Sequence, residues 1–139
     1  MTSITQAMQD NHRHCDELFA EAEAAAAKQD WLAAAKNWQA FTSELTRHIT
    51  DKEEGILFPA IEAVNGPMGP TQVMRGEHEQ MRMLCSQIDV AIANHDSNQF
   101  LGLSETLMML MQQHNMKEEQ ILYPMIERSV PDAMSLISE

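Results

Sequence analysis

Basic residues are scarce. Nine Lys and Arg stand against 21 Asp and Glu, a formal net charge of −12 in 139 residues. Phosphate binding needs a basic face, so nucleic acid is excluded as a partner, and an anionic membrane surface with it. Five Gly and five Pro are too few for the turns of an all-β domain. Two cysteines, Cys15 and Cys85, form neither a disulfide framework nor a zinc-knuckle spacing, and read as helix thiols in a reducing compartment. No apolar run approaches the ~18 residues of a membrane span. The opening MTSITQAMQDNHRHCD lacks the apolar stretch of a secretory leader, so the expected location is the cytoplasm. What is abundant is apolar residue, 44% of the chain. A chain of this length buries roughly two-thirds of its unfolded surface, so residues 1–139 read as one domain.

The apolar pattern is helical throughout. Ile4, Met8, Cys15, Leu18, Phe19 and Ala22 recur at steps of three, four and seven, which predicts a helix over about 4–28. Asp30 is placed to cap a second helix over 31–64, carrying Trp31, Leu32, Trp38, Phe41, Leu45, His48, Leu57 and Ile61. The breaker Asn65-Gly66-Pro67-Met68-Gly69-Pro70 separates it from a third helix over 71–94. After His95-Asp96-Ser97-Asn98 comes a fourth, over 98–129, and Pro131 leaves a short tail. Four long helices on short links predict an all-α, up-down-up-down four-helix bundle.

The chain also repeats itself. HRHCDELF (12–19) aligns with HEQMRMLC (78–85) and His48 with His114, both at an offset of 66, and ILFPAIE (56–62) with ILYPMIE (121–127) at 65. This implies a pseudo-twofold bundle whose halves give matching residues to one centre. His12, His48, His78 and His114 fall one per helix. Buried imidazoles each need a partner for a ring nitrogen, and a metal supplies it. Glu118 follows His114 by four residues, about 40° around the helix, so both point inward. Glu53 follows His48 by five, about 140° around a regular helix. A one-residue π-bulge in the second helix, absent from the fourth, would turn it back. Asp51 is the alternative carboxylate. Glu54 and Glu119 are assigned to a solvated face.

Imidazoles with shared carboxylates favour hard, redox-active ions, and the lack of a thiolate in register argues against structural zinc. Helix bundles carry di-iron and di-manganese centres of this composition. The donor set therefore predicts two iron ions. Two bridging carboxylates, an oxygen bridge and two histidines would leave each octahedral ion one exchangeable position.

HNMKEEQILYP (114–124) and HITDKEEGILFP (48–59) resemble the His-x-x-x-Glu-Glu…Leu-Phe-Pro signature of the hemerythrin family, in its bacterial HHE cation-binding group. The resemblance covers about residues 5–130. It implies a non-haem, oxo- or hydroxo-bridged di-iron centre ligated by His12, His48, Glu53, His78, His114 and Glu118. The small-molecule ligand it implies is O2, NO or peroxide. Oxygen carriers of the family have a fifth histidine one turn from the third-helix ligand. Here those positions hold Met74 and Arg82, and neither His14 nor His95 stands in. The reading is therefore binding of a small oxidant for sensing, scavenging or storage. The alternative is a di-iron redox enzyme or an iron-donating repair protein. Met74, Met81, Met83, Met108, Met109, Met111 and Met116 read as adaptable core filler. Cys15 lies one turn from His12. Tyr123 replaces Phe58 in the repeat, and its hydroxyl is expected either to reach the bundle rim or to serve as an oxygen ligand or radical site. Nothing in the sequence speaks to oligomeric state.

Overall fold

Short polar side chains open three of the long helices. Ser3 Oγ accepts from Gln6 N at 3.1 Å and starts α1, Ile4–Ala27. Asp30 accepts from Ala33 N and starts α2, a continuous helical run over residues 31–65. Asp96 accepts from Gln99 N and starts α4, a run over residues 97–129. Each cap satisfies an amide with no intrahelical partner, worth about 1 kcal/mol. Between them lies α3, Gly69–Ala93, which has no side-chain cap. It starts before the expected Thr71 because Pro70 fits the first turn, where a missing N–H costs nothing. The computed structural model describes residues 2–138, so Met1 and Glu139, the two ends of the expected domain, lie outside the described residues. No strand occurs among the described residues.

The links are short and two of them match. Gln29 and His95 adopt left-handed φ of 59° and 53°. In each link the next amide reaches back across the helix end, Asp30 N to Ala25 O and Asp96 N to Ala91 O. That bond closes the helix and hands the chain to the aspartate cap. The expected tail is corrected to a fifth helix, α5, Ala133–Ile137. Ala133 is buried against the bundle, and that burial orders the segment beyond Pro131.

α1 packs on α2 and α4, and α3 packs on α4 and α2. The buried apolar residues divide into two layers. One is built around Cys15, Phe19, Trp38, Phe41, Met81, Ile88, Phe100 and Met111. The other is built around Met8, Leu57, Phe58, Ile61, Met74, Leu122, Tyr123 and Ile126. Burying each large side chain is worth about 1.5–3 kcal/mol. Every long helix passes from one layer to the other, and the polar residues of the belt sit at the crossing. His12 follows Met8 and precedes Cys15 in α1, and His78 lies between Met74 and Met81 in α3.

At that belt α2 and α4 both widen. Residues Arg47–Leu57 and Glu118–Leu122 wind as π-helix. The expectation of a bulge in the second helix alone is thus corrected. Pro59 and Pro124 supply the reason. In a regular helix each ring would press on the carbonyl four residues back and leave it without a donor. In both runs the amide just before the proline instead reaches five residues back, Phe58 N to Glu53 O and Tyr123 N to Glu118 O. The proline imposes a wide turn in both halves, and the extra residue in α2 lengthens it.

Candidate metal centre

The belt brings all six expected residues together. His12, His48, Glu53 and Glu118 each place one ligand atom within 4.8 Å of the others, and Glu53, His78, His114 and Glu118 do the same. Both carboxylates belong to both groups. Glu53 Oε2 lies 3.6 Å from His48 Nε2, and its Oε1 lies 3.0 Å from His78 Nε2. Glu118 Oε1 lies 3.2 Å from His12 Nε2, and its Oε2 lies 3.2 Å from His114 Nε2. All six side chains are buried. The wide turn between His48 and Glu53 brings both onto the inner face. Asp51, the alternative carboxylate, is exposed.

The outer nitrogen of every ring is held by a neighbouring helix. Glu119 on α4 meets His12 Nδ1 at 2.6 Å, and Asn11 on α1 meets His48 Nδ1 at 3.3 Å. Glu54 on α2 meets His78 Nδ1 at 2.7 Å, and Glu77 on α3 meets His114 Nδ1 at 2.8 Å. The contacts run once around the bundle. Each acceptor is placed to take an Nδ1 proton, which would leave the Nε2 lone pair facing inward, the tautomer of a metal-bound histidine. Three of the four acceptors are themselves tethered by cations. Arg82 donates to Glu54 (2.8 Å), Lys117 to Glu77 (2.6 Å) and Lys52 to Asn11 (2.9 Å).

Assigning Glu54 and Glu119 to a solvated face is therefore corrected. One residue past an inward glutamate is about 100° around the helix, and on both runs that direction meets the next helix. Asn11 and Glu77 were not singled out by sequence. The repeat carried the signal, since they stand 66 residues apart and each precedes a helix histidine.

For Tyr123 the rim position is corrected. Its hydroxyl lies at the centre, 2.6 Å from Glu53 Oε2 and 2.8 Å from Glu118 Oε1. It is 3.1 Å from His12 Nε2 and 3.3 Å from His48 Nε2. The ring belongs to an apolar layer just beneath the belt, which sets the depth of the hydroxyl.

The electrostatics are those of a cation-binding cavity. Burial, then the charge of Glu118, lifts the Glu53 carboxyl well above the usual range. Burial acts on Glu118 as well, but the charge of His114 and close polar contacts with Glu53, His114 and His12 outweigh it and hold Glu118 well below that range. Two carboxylates this close oppose each other's ionisation. Burial, then His12, lowers His48 far below the ordinary imidazole value, and burial, then His114, lowers His78. Burial also acts downward on His114, but Glu118 and Glu77 raise it overall. Glu53 Oε1 and Glu118 Oε2 are buried without a hydrogen-bond partner. His78 Nε2 and His114 Nε2 face each other at 3.2 Å. Orphaned acceptors of this kind cost about 1–3 kcal/mol each. A cation satisfies all of them together, so the donor set fits a metal.

The remaining residues stay outside both groups. Met74 is buried in an apolar layer, and Arg82 turns to Glu54, Glu79 and Thr50, so neither replaces a fifth histidine. His14 is exposed, and His95 stacks on Trp31 at 5.4 Å. The Cys15 thiol is pushed up to about 12 by burial, then by Glu44 and Asp16, and Cys85 to about 12 by burial and Asp89. Both are inert at neutral pH. Met74, Met81 and Met111 are core, but Met83, Met109 and Met116 are exposed, which corrects their reading as filler. A polar surface basin of about 540 Å³, bordered by Arg13, Gln112 and Glu119, touches His12. No described helix is long and apolar enough to cross a membrane.

Residues 3–126 match a family described as the Hemerythrin HHE cation binding domain. No curated protein and no solved structure matches the chain.

Proposed function

The chain belongs to the hemerythrin HHE cation-binding family, and from that premise we propose that it is a non-haem di-iron protein that binds a small oxidant, O2 or NO, for sensing, scavenging or storage. His12 and His48 would hold one ion and His78 and His114 the other, with Glu53 and Glu118, the carboxylates common to both groups, shared between them. The four long helices run up-down-up-down as two related halves, an arrangement supported by the matched links before Asp30 and Asp96. One observation carries the reading: four Nδ1 atoms face outward acceptors, while four Nε2 atoms converge on two shared, buried carboxylates.

Iron in such a centre supplies reversible one-electron exchange and a position for a diatomic ligand. The protein's part is to keep the rings in one tautomer, supply the bridging charge and exclude bulk water from the belt. A second reading, a di-iron oxidase or peroxidase or an iron-donating repair protein, draws support from Tyr123, an oxidisable side chain 2.6 Å from Glu53. Metal analysis with optical spectra of the reduced protein, before and after O2 or NO, tests the proposal. Two irons per chain and a spectrum that responds to either gas are expected. Zinc in place of iron, with no iron uptake under anaerobic loading, overturns it. Catalytic turnover of peroxide would favour the second reading.

A further inference from the structure

This inference rests on the di-iron reading and concerns Tyr123. The two halves place an aromatic residue at the same point, Phe58 in α2 and Tyr123 in α4, both fully buried. Phe58 packs on His78 with ring centroids 5.8 Å apart, and Tyr123 packs on His12, also at 5.8 Å. The halves differ there by one oxygen atom. That oxygen contacts Glu53, Glu118, His12 and His48 at 2.6, 2.8, 3.1 and 3.3 Å. Those four residues are the whole of one donor group.

A hydroxyl has one proton to donate, which accounts for one of these contacts. The two imidazole nitrogens give it nothing to accept when their rings donate through Nδ1 to Glu119 and Asn11, the acceptors placed there. Ligand atoms about 2.1 Å from one ion and at right angles to each other lie about 3.0 Å apart. The four contacts of the Tyr123 oxygen scatter around that spacing. The donors keep a similar spacing among themselves, with His12 to Glu118 at 3.2 Å and His48 to Glu53 at 3.6 Å. An oxygen neighbouring four donors at once has the position of a fifth ligand. The other group lacks such an atom, and the two orphaned carboxylate oxygens, Glu53 Oε1 and Glu118 Oε2, both face that side.

We propose that the Tyr123 oxygen is a protein ligand to the ion held by His12 and His48, making the two ions inequivalent and leaving the ion of His78 and His114 as the one open to a small molecule. On coordination the metal–oxygen bond replaces the phenolic O–H, and the proton leaves to solvent.

The chain has one tyrosine, so any tyrosinate signal comes from Tyr123. The experiment loads the full chain with ferric iron, measures iron content, and records the visible spectrum and resonance Raman scattering for the wild type and Tyr123→Phe. The expected result is a phenolate-to-iron absorption with phenolate ring modes in the wild type, absent from an iron-retaining Tyr123→Phe. Two irons with no phenolate modes overturns the ligand assignment and leaves the di-iron reading standing. A wild type that takes up no iron overturns both. If Tyr123→Phe does not fold, the wild-type Raman spectrum decides alone.

Discussion

The site segments of α2 and α4 carry nearly the same residues on different backbones. In α2, twelve residues run from His48 to Pro59, and in α4 eleven run from His114 to Pro124. The wide winding covers Arg47–Leu57 in the first and only Glu118–Leu122 in the second. Yet both glutamates are buried in the centre, and both end with an i→i+5 bond ahead of the proline. The inner face is conserved between the halves because the proline widens each turn at the same place. The extra residue is absorbed upstream, where winding at i→i+5 lets five residues separate His48 from Glu53 on one face. The outer contacts differ more. His48 leans on a neutral Asn11, whereas its counterpart His114 leans on Glu77.

The largest expected effect tests the shared glutamates. Glu53→Ala or Glu118→Ala removes a donor from both groups, so each variant should lose most of its metal by elemental analysis, while Asp51→Ala keeps it. Chelation of the wild type should lower its melting temperature, since metal bound only by the folded state stabilises it by linkage. A chelated protein with metal loss confirmed and unchanged melting would count against a buried centre.

Next come the residues that hold the rings. Glu54→Ala and Glu119→Ala free His78 and His12 to change tautomer and tilt, and each should weaken metal affinity by about 10–100-fold. Competition with a chromophoric chelator reads this. An effect limited to Glu54, which Arg82 also tethers, would show that a carboxylate orients its ring only when it is itself held in place.

A smaller effect separates the two wide turns. A Cβ on Gly55 would lie 3.0 Å from the Thr50 carbonyl oxygen, and backbone cannot move aside cheaply. Gly55→Ala should destabilise by about 1 kcal/mol, although alanine ordinarily gains about that much over glycine in a helix. Gln120→Ala, at the matching place in α4, should be near neutral in the same denaturant titration.

The smallest effect compares the helix ends. Glu62 of α2 accepts from Arg75 and Thr71 at the start of α3, and Glu127 of α4 accepts from Thr5 N at the start of α1. Hydrogen bonding from Arg75, then from Thr71 against a small burial effect, holds Glu62 below its ordinary 4.5. Burial raises Glu127, but hydrogen bonding from Thr5 and Ser3 together outweighs it and the result is again below 4.5. A depressed folded pKa stabilises above the unfolded value and is lost as pH falls through the folded one. Glu62→Gln and Glu127→Gln should therefore each cost under about 1 kcal/mol at pH 7. The gap to wild type should close as pH falls through the depressed folded values, below the ordinary carboxylate range, in melts followed by circular dichroism.

The all-helical fold was legible because its signals are local: apolar residues at helical spacing, Asp30 and Asp96 as caps, and a breaker at Gly66. The convergence of His12, His48, His78 and His114 was legible through the repeat. The wide turn in α2 was inferred from a residue count. The one in α4 was missed because the count there needs none, and only the geometry of Pro124 demands it. The contacts of Glu54 and Glu119 with the histidine rings were missed because glutamate pairs on helices ordinarily face water, and nothing in one helix states what stands beside it.

By itself, then, the sequence determined which residues share a helix face, since helical pitch is set by bonds within a few residues. That was enough to put six candidate metal ligands on inward faces and to argue against basic, membrane-spanning and all-β alternatives. The tertiary structure alone decided the ring of contacts from Asn11, Glu54, Glu77 and Glu119, and the depth of the Tyr123 hydroxyl. Both depend on the distance between helices and their rotation after each wide turn, and packing of the two apolar layers fixes those quantities across more than a hundred residues of chain.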